Sequence, residues 1–147
     1  MNPTALSGLE LLQAAIDGKL PRASMSETMG MTGMTAEKGR VTIRARADGR
    51  HLNPLGGVHG GFAATILDSA TACAVHTMLD AGVSYGTVDL NVKMLRPVPQ
   101  GDELVAEAEA IHVSRSLGTA EGRLRDSSGR LLATASATCL LKCVAPG

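Results

Sequence analysis

The chain has 147 residues, 44% of them apolar, and a formal net charge of zero from 14 Lys and Arg against 14 Asp and Glu. That length fits one domain, residues 1–147, whose core needs neither a disulfide nor a metal to close. No window is strongly basic and the aromatics are one Phe and one Tyr, so nucleic acid and an anionic membrane surface find no matching cationic or stacking face and neither is an expected partner.

Residues 4–17 carry Leu6, Leu9, Leu12 and Ile16 at helical spacing, with Gly18 and Pro21 as stops. The spacing predicts an N-terminal helix over about 4–18 that covers a sheet edge or the mouth of a pocket. Met25, Met29, Met31 and Met34 crowd residues 22–35, interrupted by Gly30 and Gly33, and a weak, irregular strand fits them. Residues 40–47 alternate strictly. Val41, Ile43, Ala45 and Ala47 take one face and Arg40, Thr42, Arg44 and Arg46 the other, which describes a half-exposed strand with a solvated arginine side. Asp48-Gly49-Arg50 turns the chain.

A glycine-dense loop from Asn53 to Gly57 leads into the most apolar segment. A helix from about His59 to Asp80, stopped by Gly82, is apolar nearly all round and therefore enclosed on most sides. Within Phe62–Leu79, Asp68 near the middle and five Thr, Ser or His residues make a buried helix, not a membrane span. Period two then takes over. Residues 84–96 set Val88, Leu90, Val92 and Met94 against Thr87, Asp89, Asn91 and Lys93. Further strands follow at 103–113, 119–125 and 131–142, the last two joined by a hairpin at Asp126-Ser-Ser-Gly129. In 131–142, Leu131 shares a face with Ala133 to Leu141, and Leu132 takes the other. The expected architecture is α+β, an antiparallel meander curled around one long helix.

Three cysteines at irregular spacing suit a reduced, cytoplasmic protein. Cys139 and Cys143 lie roughly 13 Å apart on a strand, too far for a disulfide without a bend. Cys73 reads as a small core residue. The N-terminus lacks a basic start followed by an apolar run, so no signal peptide is expected. His51, His76 and His112 share no metal-ligand spacing with one another or with the cysteines, and no metal is expected.

Asp68 is the only carboxylate between Phe62 and Leu79. Burying a carboxylate without a partner is costly, so a chain that keeps one pairs it or uses it. Upstream, Gly60 stands where the loop becomes the helix. The first N–H groups of a helix have no internal partner, and the helix dipole makes them receptive to negative charge.

The pattern Asn53-Pro-x-Gly-x-x-His59-Gly60-Gly61, then Asp68, Thr87-Val-Asp-Leu-Asn91 and Leu95-Arg96-Pro97, resembles the hotdog-fold acyl-CoA thioesterases, closest to the PaaI-like branch of phenylacetate degradation. The resemblance spans roughly residues 8–142. It implies a sheet wrapped around one helix, a homodimer and commonly a homotetramer, and hydrolysis of an acyl-CoA thioester without metal or cofactor. It also implies site roles. Asp68 is general base or nucleophile, and the Gly60 amide is the oxyanion donor with Gly61 beside it. Asn53 and His59 orient the loop and the thioester, with His59 a second candidate base. Thr87 helps hold the attacking water.

Gly60 and Asp68 lie eight residues apart, roughly 12 Å of helical rise. An attacked carbonyl must sit within about 3–3.5 Å of its nucleophile. One chain therefore cannot bring both to one thioester, and a two-fold dimer can. Arg96 and Arg115, with Lys93 behind them, are candidates for the coenzyme A phosphates. Ala64, Ala70 and Ala72 leave room for an acyl group beside Asp68. Two other readings compete: a hotdog hydratase or dehydratase, whose histidine and carboxylate placements are not found here, and a non-enzymatic acyl-CoA-binding protein.

Overall fold

The computed structural model describes residues 1–143; residues 144–147, the tail of the expected domain range, lie outside the described residues. Three helices and six strands follow in the order α1 (Gly8–Ile16), α2 (Ser24–Thr28), β1 (Met31–Glu37), β2 (Arg40–Ala45), α3 (Gly60–His76), β3 (Val83–Met94), β4 (Leu104–Val113), β5 (Leu117–Arg125) and β6 (Leu131–Cys143). The strands form one antiparallel sheet in the order β1-β2-β4-β5-β6-β3. The sheet curls around α3, which packs on β2 to β6.

Small side chains make the curl possible. Ala106, Ala108, Ala120, Ala133, Ala135 and Ala137 are all buried on the helix side of the sheet. A Cβ on Gly122 would stand 3.2 Å from Thr71 and 3.3 Å from Leu67. Backbone and helix thus approach more closely than larger residues would allow. On β2, Val41, Ile43 and Ala45 point into this core, as their alternation predicts. The outward arginines pair across strands, Arg40 with Glu109 at 3.3 Å and Arg44 with Glu103 at 3.1 Å, exposed contacts that add little to stability.

Several boundaries differ from the sequence expectation, each for a local reason. The first helix starts at Gly8, not residue 4, because Ser7 forms a capping box. Its hydroxyl accepts the Glu10 N–H at 3.3 Å and its N–H donates to the Glu10 carboxylate at 2.7 Å. Pro3–Ala5 is a separate 3-10 turn. Residues 22–35 are not one irregular strand. Ser24–Thr28 is a helical turn, and β1 begins only after Gly30. Gly30 has a φ of +62°, and a Cβ there would strike the Arg46 carbonyl oxygen.

The central helix ends at His76, not Asp80. The Thr77 hydroxyl donates to the Ala74 carbonyl at 2.6 Å and accepts the Gly39 N–H at 2.8 Å, tying the last turn to the β1–β2 connection. Gly82, at φ +82°, turns the chain into β3 instead of stopping the helix.

The meander holds for β4, β5 and β6 and fails for β3, which pairs with β6 at the far edge of the sheet. Strict alternation fails there too. Thr87 faces Cys139 and Asp89 faces Thr138, leaving Val88 as an extra, bulged residue. Val88, expected on the apolar face, is 62% exposed. A second irregularity, opposite Leu124 and Arg125, buries Leu132 together with Ala133, so the expected division between Leu131 and Leu132 is reversed.

Candidate active site

The loop before α3 is held by its own side chains. The Asn53 side-chain Oδ1 accepts the N–H groups of Leu55 at 3.0 Å and Gly57 at 3.1 Å, and the Asn53 backbone N–H donates to the Gly57 carbonyl at 2.7 Å. His51 anchors the loop from below. It is buried against Phe62, accepts the Asp48 N–H on Nδ1 and lies 2.7 Å from the Thr28 carbonyl through Nε2. This histidine is a strut for the loop.

His59 is the N-cap of α3. Its Nδ1 accepts the Gly61 N–H at 2.8 Å, which fixes the ring as a cap and leaves Nε2 on the exposed side. The Gly61 amide is consumed by that bond. The Gly60 N–H donates to no group among the described residues. A Cβ on Gly60 would stand 2.8 Å from the Met94 sulfur, so this first amide of the helix lies under the end of β3. Gly60 and Gly61, paired in the sequence, thus do different things: one is an open donor and the other a capped one.

Two turns further along α3, Asp68 is half-buried and receives the Thr87 hydroxyl at 2.8 Å. Asp68, expected to be either paired or used, has a hydrogen-bond partner on β3. Thr87 also lies 3.9 Å from the Cys139 sulfur. The Val88 bulge makes this meeting possible. Leu90 and Val92 face the helix, so unbroken alternation would have turned Thr87 outward.

The neighbours of Asp68 are neutral. Burial, and next the Asp68 charge, push the Cys73 thiol up to about 11. Burial also raises Cys139, and raises Tyr85 further, with Cys73, Cys139 and Asp68 contributing. A thiol so far from its thiolate form is a poor nucleophile, which leaves the Asp68 carboxyl as the candidate reactive group of this cluster. The sequence did not point to Tyr85 or Cys139 as neighbours of Asp68. Only the register of β3 against α3 and β6 brings them here.

The candidate phosphate ligands are not gathered in one place on the chain. Arg96 follows β3 and donates to the Leu131 carbonyl at 2.8 Å, on the rim of a 270 Å³ cavity that also contains Gly60, Ala63, Met94 and Pro97. Arg115 sits in the β4–β5 turn. There Gly118 packs on Val75, near the C-terminal end of α3, at the opposite end of the helix from Gly60. Lys93 points to a shallow groove on the outer face of the sheet. A second, larger cavity lies under α1, beside Ser69 and Tyr85. No cluster of His, Cys, Asp and Glu suited to a metal occurs among the described residues. None of the described helices is long and apolar enough to cross a membrane.

Comparison with known proteins fits this geometry. The family model of the thioesterase superfamily matches residues 55–133. The chain belongs to that superfamily. Its chemistry is thioester hydrolysis, and the curled sheet around α3 is the hotdog fold. A phenylacetic acid degradation-related protein of Ralstonia eutropha superposes with a TM-score of 0.79 at 32% identity, covering 87% of this chain and 97% of that one. Human acyl-coenzyme A thioesterase 13 is 26% identical over 104 residues, 70% of this chain and 74% of that protein. A Halobacterium salinarum protein that carries an esterase name is 46% identical over 68 residues, so this thioesterase spans only 44% of its length in the match. The matched family segment runs from Leu55, through the His59 cap and Asp68, to Ala133. It omits α1 and α2.

Proposed function

We propose that this thioesterase hydrolyses an acyl-CoA to a carboxylic acid and free coenzyme A, with Asp68 as general base and the Gly60 N–H as oxyanion donor. The observation that carries the reading is the Thr87–Asp68 hydrogen bond at 2.8 Å on the same helix that begins with an unpartnered Gly60 amide. Thr87 holds one carboxylate oxygen and can still accept a hydrogen bond from water. The other oxygen is free to take a proton from that water. The hydroxide so formed adds to the thioester carbonyl carbon, and the electron pair moves to the carbonyl oxygen, where the Gly60 N–H stabilises it. Collapse breaks the carbon–sulfur bond, and the proton held by Asp68 passes to the leaving thiolate.

Both groups belong to α3 and cannot reach one carbonyl from one chain, so the reading requires two copies with two shared sites. The free outer edge of β3 offers the seam, since an unpaired strand edge is a template for a second strand. Pairing there sets Asp68 of one copy toward Gly60 of the other. The 270 Å³ cavity at Gly60 then takes the pantetheine arm, with Arg96 at its rim for phosphate, and Arg115 is presented from the opposite end of the helix. A dimer of such dimers is compatible with the same seam.

The test is thiol release from acyl-CoA substrates by the wild type and Asp68→Asn. Loss of about a hundredfold or more in the folded variant supports the base. Undiminished thiol release by the variant sinks this role for Asp68. Hydrolysis in H₂¹⁸O under single-turnover conditions separates base from nucleophile. A base puts the label in the product acid in the first turnover. A nucleophile forms an acyl anhydride with Asp68, and water attacking its Asp68 carbonyl leaves the label in the protein and unlabelled oxygen in the first product.

A further inference from the structure

The largest cavity described in the molecule, about 530 Å³, lies between α1 and the body of the fold. Its roof is Leu12, Ala15 and Ile16 of α1. Its floor includes Met34 of β1, and its far wall includes Cys73 of α3 and Tyr85 of β3. The space is a half-open apolar hollow, which a ligand can enter from solvent. It falls within the range of small-molecule sites, about 300–1,000 Å³. A cavity of about 150 Å³ already holds benzene.

Asp68 and Thr87 do not line the chamber, but residues next to them in the helix and strand do. Ser69 in its wall is the residue after Asp68, and Tyr85 precedes Thr87 by two on the same face of β3, ahead of the bulge. Its walls carry no charge inside. Arg22, at the rim, is exposed and donates to the Met31 carbonyl at 2.8 Å. The His76 ring lies against Tyr85 at 4.4 Å, its Nδ1 sealed without a partner, and burial favours its neutral form.

We infer that this chamber receives the acyl half of the substrate and restricts it to bulky, uncharged acyl groups, an aryl-alkyl or a medium alkyl chain. The inference rests on the acyl-CoA reading above and adds the substrate class to it. Acetyl groups leave most of the chamber empty and forgo its contacts. Acyl groups ending in a carboxylate bring a charge to apolar walls where the one cation is Arg22 at the rim, already engaged by the Met31 carbonyl. Methionine in the floor lets the chamber adapt its shape to ring or chain. The α1 helix, outside the segment matched to the family, then acts as the specificity element, and Ala15 and Met34 as the residues that set the chamber's size.

The experiment is kcat/KM for acetyl-, octanoyl-, phenylacetyl- and succinyl-CoA with the wild type, Ala15→Trp and Met34→Ala, each checked for cooperative unfolding. Each buried methylene is worth about tenfold or more in discrimination. Octanoyl- or phenylacetyl-CoA should therefore exceed acetyl- and succinyl-CoA by about a hundredfold or more. Ala15→Trp fills the roof and should cut the ratio of bulky to acetyl substrate by at least about tenfold. Met34→Ala opens the floor and should move the optimum to longer chains, so the pair remains decisive if the tryptophan variant does not fold. Equal use of acetyl and bulky substrates by the wild type overturns the inference, as does a ratio unmoved in the folded variants, and both leave thioester hydrolysis standing. No thiol release from any acyl-CoA overturns the hydrolase reading and this inference with it.

Discussion

Thr87 and Asp68 are separated by a helix end, a turn and half a strand, yet their side chains meet at 2.8 Å. Thr87→Val removes the hydroxyl while keeping the shape. Steady-state kinetics should show kcat reduced by about tenfold or more with little change in KM, and Thr87→Ser should restore most of it; an unaltered kcat in Thr87→Val would make the threonine purely structural. At Gly60, proline is the informative replacement. It removes the N–H, it suits the first helical position, and the extended backbone of His59 is what a residue before proline adopts. The crowding at Met94 involves the end of a flexible side chain. Gly60→Pro should fold and lose about a hundredfold in kcat, the size of one oxyanion donor; near-wild-type kcat would remove Gly60 from the chemistry. Asp68, His59 and the two glycines could be picked out in the sequence because charge in an apolar run and glycine before a helix are local signals. Thr87 came from the resemblance alone, and its pairing with Asp68 depends on a bulge that no residue type announces. The place of Tyr85 and Cys139 beside Asp68 was not legible because ordinary strand positions carry no mark of what faces them.

At the scale of elements, the apolar central helix and the alternating strands were readable, since periodicity reflects burial directly. Their ends were not. Ser7 against residue 4, and Thr77 against Asp80, were decided by individual side-chain hydrogen bonds. Ser7→Ala should cost about 1 kcal/mol, seen as a lower Tm, and it should loosen the roof of the chamber under α1. The first residue of α1 is pinned to the end of α3: the Gly8 N–H donates to the Leu79 carbonyl at 2.9 Å, and any Cβ on Gly8 would strike His76. That packing makes His76 a source of pH dependence. Burial lowers its pKa from 6.5, so below that value the unfolded chain binds the proton more readily than the folded one. Its contribution is complete above 6.5 and declines as pH falls below it. Thermal unfolding between pH 7 and pH 5 should show a steeper fall in Tm for the wild type than for His76→Gln; parallel curves would assign the acid sensitivity elsewhere.

Across the whole molecule, the antiparallel sheet around one helix was foreseeable because a single apolar helix beside amphipathic strands has few ways to bury both. The placement of β3 was not. Hairpin logic puts it next to β4, while the structure sends it to the opposite edge beside β6. That placement gives the proposed dimer its seam. Asp68→Asn and Gly60→Pro, each inactive alone, supply a direct assay. Unfolded together and refolded, they should form mixed dimers in which one site has both defects and the other has neither. Random pairing then restores about a quarter of wild-type activity. Separately refolded samples combined afterwards provide the baseline, and failure to exceed it would place each site within a single chain.

Val88 shifts the reading frame of β3. On one side of it the strand is phased to the chemistry, through Tyr85 and Thr87. On the other it is phased to the core, through Leu90 and Val92. The two halves agree only because one residue is left over. Deletion of Val88 would preserve every functional side chain and every core side chain in the sequence, yet force a choice between them. Either Thr87 turns away from Asp68 or the apolar face turns to solvent. Point substitutions at this exposed position should be tolerated, while a change in length should not, so the strand is protected in its count more than in its composition.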